Sequence, residues 1–447
     1  MRRPPAADPT ERSLDNGLRV VVSPLPHLRT VSVVVAFGVG SRHEPPEDSG
    51  LTHLLEHMVY RGTERFPSAY DLNRAIEALG GDLDGATMSD ATTFAVTIPP
   101  ASLEGALDVM SEVFVSPRFE QLEVEKRIVR EEILEGLDED GACIDADDLS
   151  RARIWGDHPL GRPIIGSEER IDAFTVADLR RHFERVFVAG NAVLSIAGPV
   201  DPEDAFAAAA RAFGRLRGGA IEAPLAPPEP HAGPAASHVE DTGSQTTVRV
   251  AFPAFGERDP RCPALMLLVR ILDDGMSARL HRHLIDAQGL AYDAWAGLDL
   301  HVDCGVLDVS GTCAHENAPA LLREMLAVLG DLAAGPIDPD ELEHVRRRHL
   351  WDLEASVDDA ADVAEHAALA TLFDLPRTLD AMAEAIRRVT PEEVGAVARE
   401  VLKTPGLHVV TVGMLSRKRR SEVDEIARKW HPEARPCSSP SRSDAPR

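Results

Sequence analysis

The period of the apolar positions changes several times along the chain, and each change marks an element. Asn16-Gly17 signals a turn, and the apolar run at 18–22 predicts a strand. Residues 31–37 are Val-rich and predict a second strand, which ends in Gly38-Val39-Gly40-Ser41-Arg42. A polar, Pro-containing stretch at 44–49 leads into 51–60, where Leu54, Leu55, Met58 and Val59 recur at helical spacing. Gly62 is placed to cap that helix. Ser68 is placed to open a helix over 70–79 that stops at Gly80-Gly81. A strand at 92–98 ends at Pro99-Pro100, and helices follow at 102–115 and 119–139. A helix from Thr175 to 185, a strand at 192–198 and a helix opened by Asp201-Pro202-Glu203-Asp204 complete this half. Strands come first, then helices, then a strand, which is an α+β order and not alternating βαβ.

From 217 to 236 the chain is rich in Pro, Ala and Gly with no apolar period, the mark of a linker. The second half then repeats the order of the first. It has a strand at 246–252, a helix at 263–272, a Gly275-Met276-Ser277-Ala278-Arg279 turn, strands near 291–301 and 305–313, helices to about 401 and a closing strand at 407–412. Two tandem homologous modules are therefore expected, at 13–216 and 238–415, joined by a linker at 217–237. Residues 1–12 read as a disordered lead-in. The tail 416–447, basic at Arg417-Lys418-Arg419-Arg420 and then Ser- and Pro-rich, reads as loose.

With 447 residues, two or more domains are the default. Apolar content is 44% but aromatic content only 4%, so the cores must be built mainly from Ala, Leu and Val. A formal net charge of −27 argues against nucleic acid and against an anionic membrane surface as partners. It is compatible with a basic peptide partner and, more simply, with solubility. The five cysteines are scattered with no close pair, which suits a reducing compartment. No apolar run follows the basic N-terminus and none reaches the length of a membrane span, so a cytoplasmic protein is expected.

The chemistry concentrates at 51–60. His53 and His57 lie four apart, on one face of a helix and one turn from each other. Two neutral imidazoles so placed can hold one Zn²⁺ and leave coordination positions open. Glu56 lies on nearly the same face and can reach a water at that metal. The pattern His-x-x-Glu-His is that of the inverted zinc peptidases. A catalytic zinc usually takes three protein ligands, so a third must come from elsewhere. The acidic helix at 119–139 is the best source, although most of its carboxylates should form a solvated face. Glu132 shares a face with Ile128 and Val129, which are expected to point inward, and Glu125 lies two turns earlier on that face. On these grounds Glu131, Glu132 and Glu135 all stay open. The second module has no such motif, so metal chemistry is confined to the first. No phosphate loop, dinucleotide fingerprint or Ser/Cys nucleophile context is present.

An ordered set of segments resembles one family. Phe37-Gly38-Val39-Gly40-Ser41-Arg42, His53-x-x-Glu56-His57-Met58 and Arg61-Gly62-Thr63 are similar to the pitrilysin-type (M16) zinc peptidases. The likeness continues through Gly80-Gly81, the stretch from Glu125 to Ile133, His158-Pro159-Leu160-Gly161, Gly275 to Leu280 and Gly289-Leu290-Ala291-Tyr292. It spans about 13–415. The resemblance implies a zinc-dependent endopeptidase that hydrolyses peptides or leader segments inside a two-chain chamber. It places the third zinc ligand on Glu132, a supporting carboxylate on Glu125, the general base on Glu56 and an oxyanion donor on Tyr292. Substrate, a peptide or unfolded polypeptide, is expected as an added strand on an exposed edge near 84–94, with Asp84 and Gly85 in contact with it. The partner chain is a second copy or an M16-like sister that supplies substrate-gripping Arg and Tyr; a non-catalytic scaffold is the third reading. The family's Arg before Gly-Leu-Ala-Tyr is Gln288 here, its Asn-Ala after the double glycine is Asp84-Gly85, and the linker and tail have no counterpart.

Overall fold

The computed structural model describes residues 8–220 and 223–432. Contacts gather these into two units, each discontinuous in sequence. Among the described residues the first comprises 8–136, 157–220, 223–227 and 350–384, and the second 137–156, 228–349 and 385–432.

The first unit is built on a six-stranded sheet of β1 (Thr10–Ser13), β2 (Arg19–Pro24), β3 (Val31–Phe37), β4 (Asp84–Thr87), β5 (Thr92–Ile98) and β6 (Ala192–Gly198), in the order β1-β2-β6-β3-β5-β4. β2 and β6 run parallel and the other neighbours antiparallel. Every residue of β3 and β6 is buried, which is why both read as unbroken apolar runs rather than alternating ones. One face carries Phe37 and Phe94, packed with Phe114 and Phe187 at ring separations of 4.5–6.1 Å. On this side lie the motif helix Leu51–Val59 and the helices Leu103–Val115 and Pro202–Phe213. Val34, Ala36, Val193 and Ala197 are buried against Ala364, Ala367 and Ala368 of the helix Ala360–Leu372. Three alanines at helical spacing let that helix approach the sheet closely.

The second unit repeats this plan. Its sheet of β7 (Ala235–Val239), β8 (Thr246–Phe255), β9 (Asp293–Leu300), β10 (Cys304–Cys313) and β11 (His408–Val412) is ordered β7-β11-β8-β10-β9. β7 and β11 are parallel and the rest antiparallel. Strands β2, β3, β4, β5 and β6 thus correspond one for one, in chain order and in sheet order, to β7, β8, β9, β10 and β11. The tandem repeat inferred from element order is therefore present in the topology. The helix between β8 and β9, Cys262–Leu272, occupies the place of the motif helix and packs on β9 as that one packs on β4. Its sequence is CPALMLLVRIL, apolar where the first module carries His and Glu. The helix Ala146–Trp155 lies on β8 and β11, the counterparts of β3 and β6. Each half of the chain thus supplies the helix that covers the other half's sheet.

Three expectations need correction. The boundaries 13–216 and 238–415 miss this exchange, because periodicity finds a helix but not the sheet it will cover. The lead-in is not wholly without structure: β1 begins at Thr10 and pairs with β2, while residues 1–7 lie outside the described residues. The tail holds a helix, Arg417–Lys429, capped by Ser416 and anchored through Val423 and Ala427; its basic run hid two buried positions four apart. Residues 433–447 lie outside the described residues, as do 221 and 222 of the linker, whose end is taken by β7. No helix among the described residues is long and apolar enough to cross a membrane.

Candidate metal centre

The motif helix owes its position to groups at both ends. Leu51, Leu54, Leu55, Met58 and Val59 are fully buried and fix its inner face. Its N-cap is Gly50 at φ 90°, a left-handed backbone that closes against Gly166 and that a side chain would strain. Glycine has no side chain with which to cap the helix. Glu44, six residues upstream, does so: its carboxylate accepts the N–H of Gly50 at 2.8 Å and of Thr52 at 2.6 Å. Glu44 is buried, and burial outweighs these donors and pushes its carboxyl up to about 7. Thr52 Oγ1 lies 2.9 Å from Nε2 of buried His182, on the helix Val176–Val186.

Within this frame His53, His57 and Glu132 converge. Glu132 Oε2 is 3.8 Å from His53 Nε2 and 3.7 Å from His57 Nε2, and the three ligand atoms lie within 4.8 Å of one another. These gaps are too long for hydrogen bonds. They approximate the ~3.4 Å edge of a tetrahedron drawn with zinc–ligand bonds of about 2.1 Å. Burial next to His57 pushes His53 down to about 3, so it is held as the neutral imidazole that a metal requires. His57 Nδ1 faces Glu125 Oε2 at 3.2 Å, and Glu125 also pairs with Arg61. A carboxylate on Nδ1–H leaves the Nε2 lone pair pointing at the cluster. The donor set, two imidazoles and one carboxylate with a supporting carboxylate behind, fits zinc.

Glu56 stands beside the cluster, 8% exposed, and burial raises its carboxyl above the ordinary range. Thr87 Oγ1 of β4 donates to Glu56 Oε2 at 3.4 Å. Gly85 packs directly on Glu56: a Cβ added there would fall 3.0 Å from its Cδ. β4 is an edge strand, so the expected docking edge at 84–94 narrows to 84–87; β5 is interior, between β3 and β4.

The structure thus brings His53, His57, Glu132, Glu125, Glu56 and Gly85 together. Of the three open carboxylates Glu132 lies beside the histidines, while Glu131 and Glu135 face solvent on the helix Leu122–Glu135. Ile128 does not point inward as expected: it is 40% exposed, and the buried positions of this helix are Leu122, Glu125, Lys126, Val129 and Ile133, with Glu132 partly exposed beside them. Tyr292 belongs to the second unit, is 84% exposed, and donates its backbone N–H to Thr312 O. Glu44, Arg61, Thr87 and Tyr60 were missed. Only Glu44 left a signal, an acid shortly before a helix that starts with glycine.

A two-module α+β chain with a His/His/Glu cluster and an adjacent buried glutamate in its first module defines a class, that of two-module metallopeptidase-like proteins. The chain belongs to peptidase family M16: residues 19–168 match the family model described as insulinase (peptidase family M16), and residues 173–348 match the peptidase M16 inactive domain. A Streptomyces coelicolor protein named as an uncharacterized zinc protease is 30% identical over 425 residues, covering 92% of this chain and 91% of its own. A Mycobacterium tuberculosis protein of the same description is 31% identical over 405 residues, covering 89% of this chain and 91% of its own. The fold is shared with a protease from Helicobacter pylori at TM-score 0.83 and 22% identity, over 92% of this chain and 100% of the other. It is shared also with the first half of the periplasmic protease PqqL of Escherichia coli at TM-score 0.73 and 18% identity, over 96% and 98%.

Proposed function

We propose that the chain is a zinc-dependent endopeptidase acting on peptides or leader segments, with His53, His57 and Glu132 as zinc ligands. The observation that carries this reading is the convergence of those three ligand atoms beside a buried Glu56. When bound, zinc supplies Lewis acidity at that point. Glu125 holds His57 in the tautomer that presents Nε2. Glu56 takes a proton from the attacking water and returns it to the leaving amine; its raised pKa suits both transfers. A peptide docks by adding a strand to the free edge of β4 at Asp84 and Gly85. The oxyanion role of Tyr292 is carried by the family resemblance alone. The experiment is zinc analysis with a peptide panel and a chelator control, on wild type and Glu56→Gln. The variant should keep its zinc and lose turnover. Retained turnover would remove Glu56 as the base, and a zinc-free wild type would favour the scaffold.

The active form we propose is a two-chain assembly, and one observation favours a sister chain over a second copy. Gln288 stands where the family carries Arg, and its side-chain amide is engaged by Glu324 and His283, each at 3.1 Å. Gln288 is thus tied up within this chain's own second module, and a sister chain would supply the cation. The scattered cysteines support a cytoplasmic setting.

A further inference from the structure

β4 is only four residues long and lies at the edge of its sheet, paired on one side by β5. So short an edge strand is not held rigid by its ladder alone. A strand that templates a peptide must nonetheless be ordered before the peptide adds, since ordering it on binding costs affinity.

The motif helix itself reaches β4 at both ends. Tyr60 Oη donates to the backbone carbonyl of Asp84 at 2.8 Å. Glu56 Oε2 accepts from Thr87 Oγ1 at 3.4 Å. Positions 56 and 60 are one helical turn apart on the same face, and Asp84 and Thr87 are the two ends of the strand. Between them Gly85, which has no side chain, lets Glu56 close on the strand backbone. The Tyr60 ring is braced edge-on against Phe94 at 5.9 Å, and Phe94 is the β5 partner of Gly85. Tyr60 and Glu56 therefore hold the two ends of the strand segment on which the peptide would add, with Phe94 behind Tyr60.

We propose that Tyr60 is a positioning residue for the substrate: its hydroxyl clamps β4 to the motif helix and so sets the register of a bound peptide against Glu56. This rests on the peptidase reading above and on β4 as the docking edge. The Tyr60 hydroxyl takes no part in the proton transfers; it acts through the strand.

Tyr60→Phe tests it, because the ring stays on Phe94 and only the hydroxyl is lost. In the zinc-loaded full chain, zinc stoichiometry should be unchanged. Amide exchange at 84–87 should accelerate by about five-fold, the loss expected from one hydrogen bond. With a fluorogenic peptide that the wild type cleaves, KM should rise by about five-fold while kcat stays within about two-fold. Unchanged exchange with unchanged KM would overturn the clamp. Lost zinc, or a fall in kcat at constant KM, would also overturn it and assign Tyr60 to the metal centre. If the wild type cleaves nothing, the peptidase reading fails on its own, and exchange at 84–87 still decides whether the clamp exists.

Discussion

A fragment ending at residue 227 should fail to fold, although it contains the whole metal centre and all six strands of the first sheet. The reason is the helix Ala360–Leu372. Without it Val21, Leu25, Val34 and Val193, each at most 2% exposed in the intact chain, lose their cover together with Ala36 and Ala197. Exposing the four larger side chains alone costs ~6–12 kcal/mol at ~1.5–3 kcal/mol each. That sum is an upper bound, because unfolded chains already bury part of their apolar surface. It nevertheless matches the roughly 5–15 kcal/mol that holds a domain folded. The assay compares residues 1–227 alone with the same fragment joined through a flexible linker to 350–384. Thermal melts followed by near-UV circular dichroism and by dye binding to exposed apolar surface report on both. The bare fragment should bind dye and melt without cooperativity, and the joined one should regain a sharp transition. A cooperative melt of the bare fragment, at a midpoint close to that of the joined one, would refute the reasoning.

Two further outcomes follow. Glu125→Gln weakens the acceptor on His57 Nδ1 and leaves Arg61 without its carboxylate partner, so zinc affinity should fall about 10- to 100-fold with the fold intact; chelator competition measures it, and an unchanged affinity would deny Glu125 its supporting role. Glu44 links stability to pH. Its carboxyl is raised from the ordinary 4.5 to about 7 in the folded chain, so its contribution is fully present below pH 4.5 and is lost as pH rises through 7. Glu44→Gln cannot ionise, so in metal-free protein its stability relative to wild type should improve by up to about 3 kcal/mol between pH 4.5 and 7.5. Urea midpoints at several pH values check this, and parallel curves for the two proteins would sink it.

Much of the candidate site was legible in the chain because its parts are local. His53, Glu56 and His57 share one helix, and the i, i+4 geometry follows from the spacing alone. Glu132 and Glu125 lie on another helix two turns apart, yet which carboxylate faces the histidines depends on helix rotation. Ile128 shows the limit of that argument, since an apolar residue next to the inward face turned out to be exposed. Glu44, Thr87 and Tyr60 were illegible because each acts on a backbone or side-chain group brought near by a turn or by the sheet.

The sequence by itself determined much of the element order, the tandem repeat and the restriction of the His-x-x-Glu-His pattern to the first module, since all three are written in local period and spacing. Tertiary structure alone decided the rest. Glu132, and not Glu131 or Glu135, lies beside the histidines because two helices meet at one rotation. The helices 146–155 and 360–372 were exchanged because an apolar stripe records that it must be buried, and not where. Gly85 became the floor beneath Glu56 because an edge strand passes within contact distance of a helix that precedes it by some thirty residues.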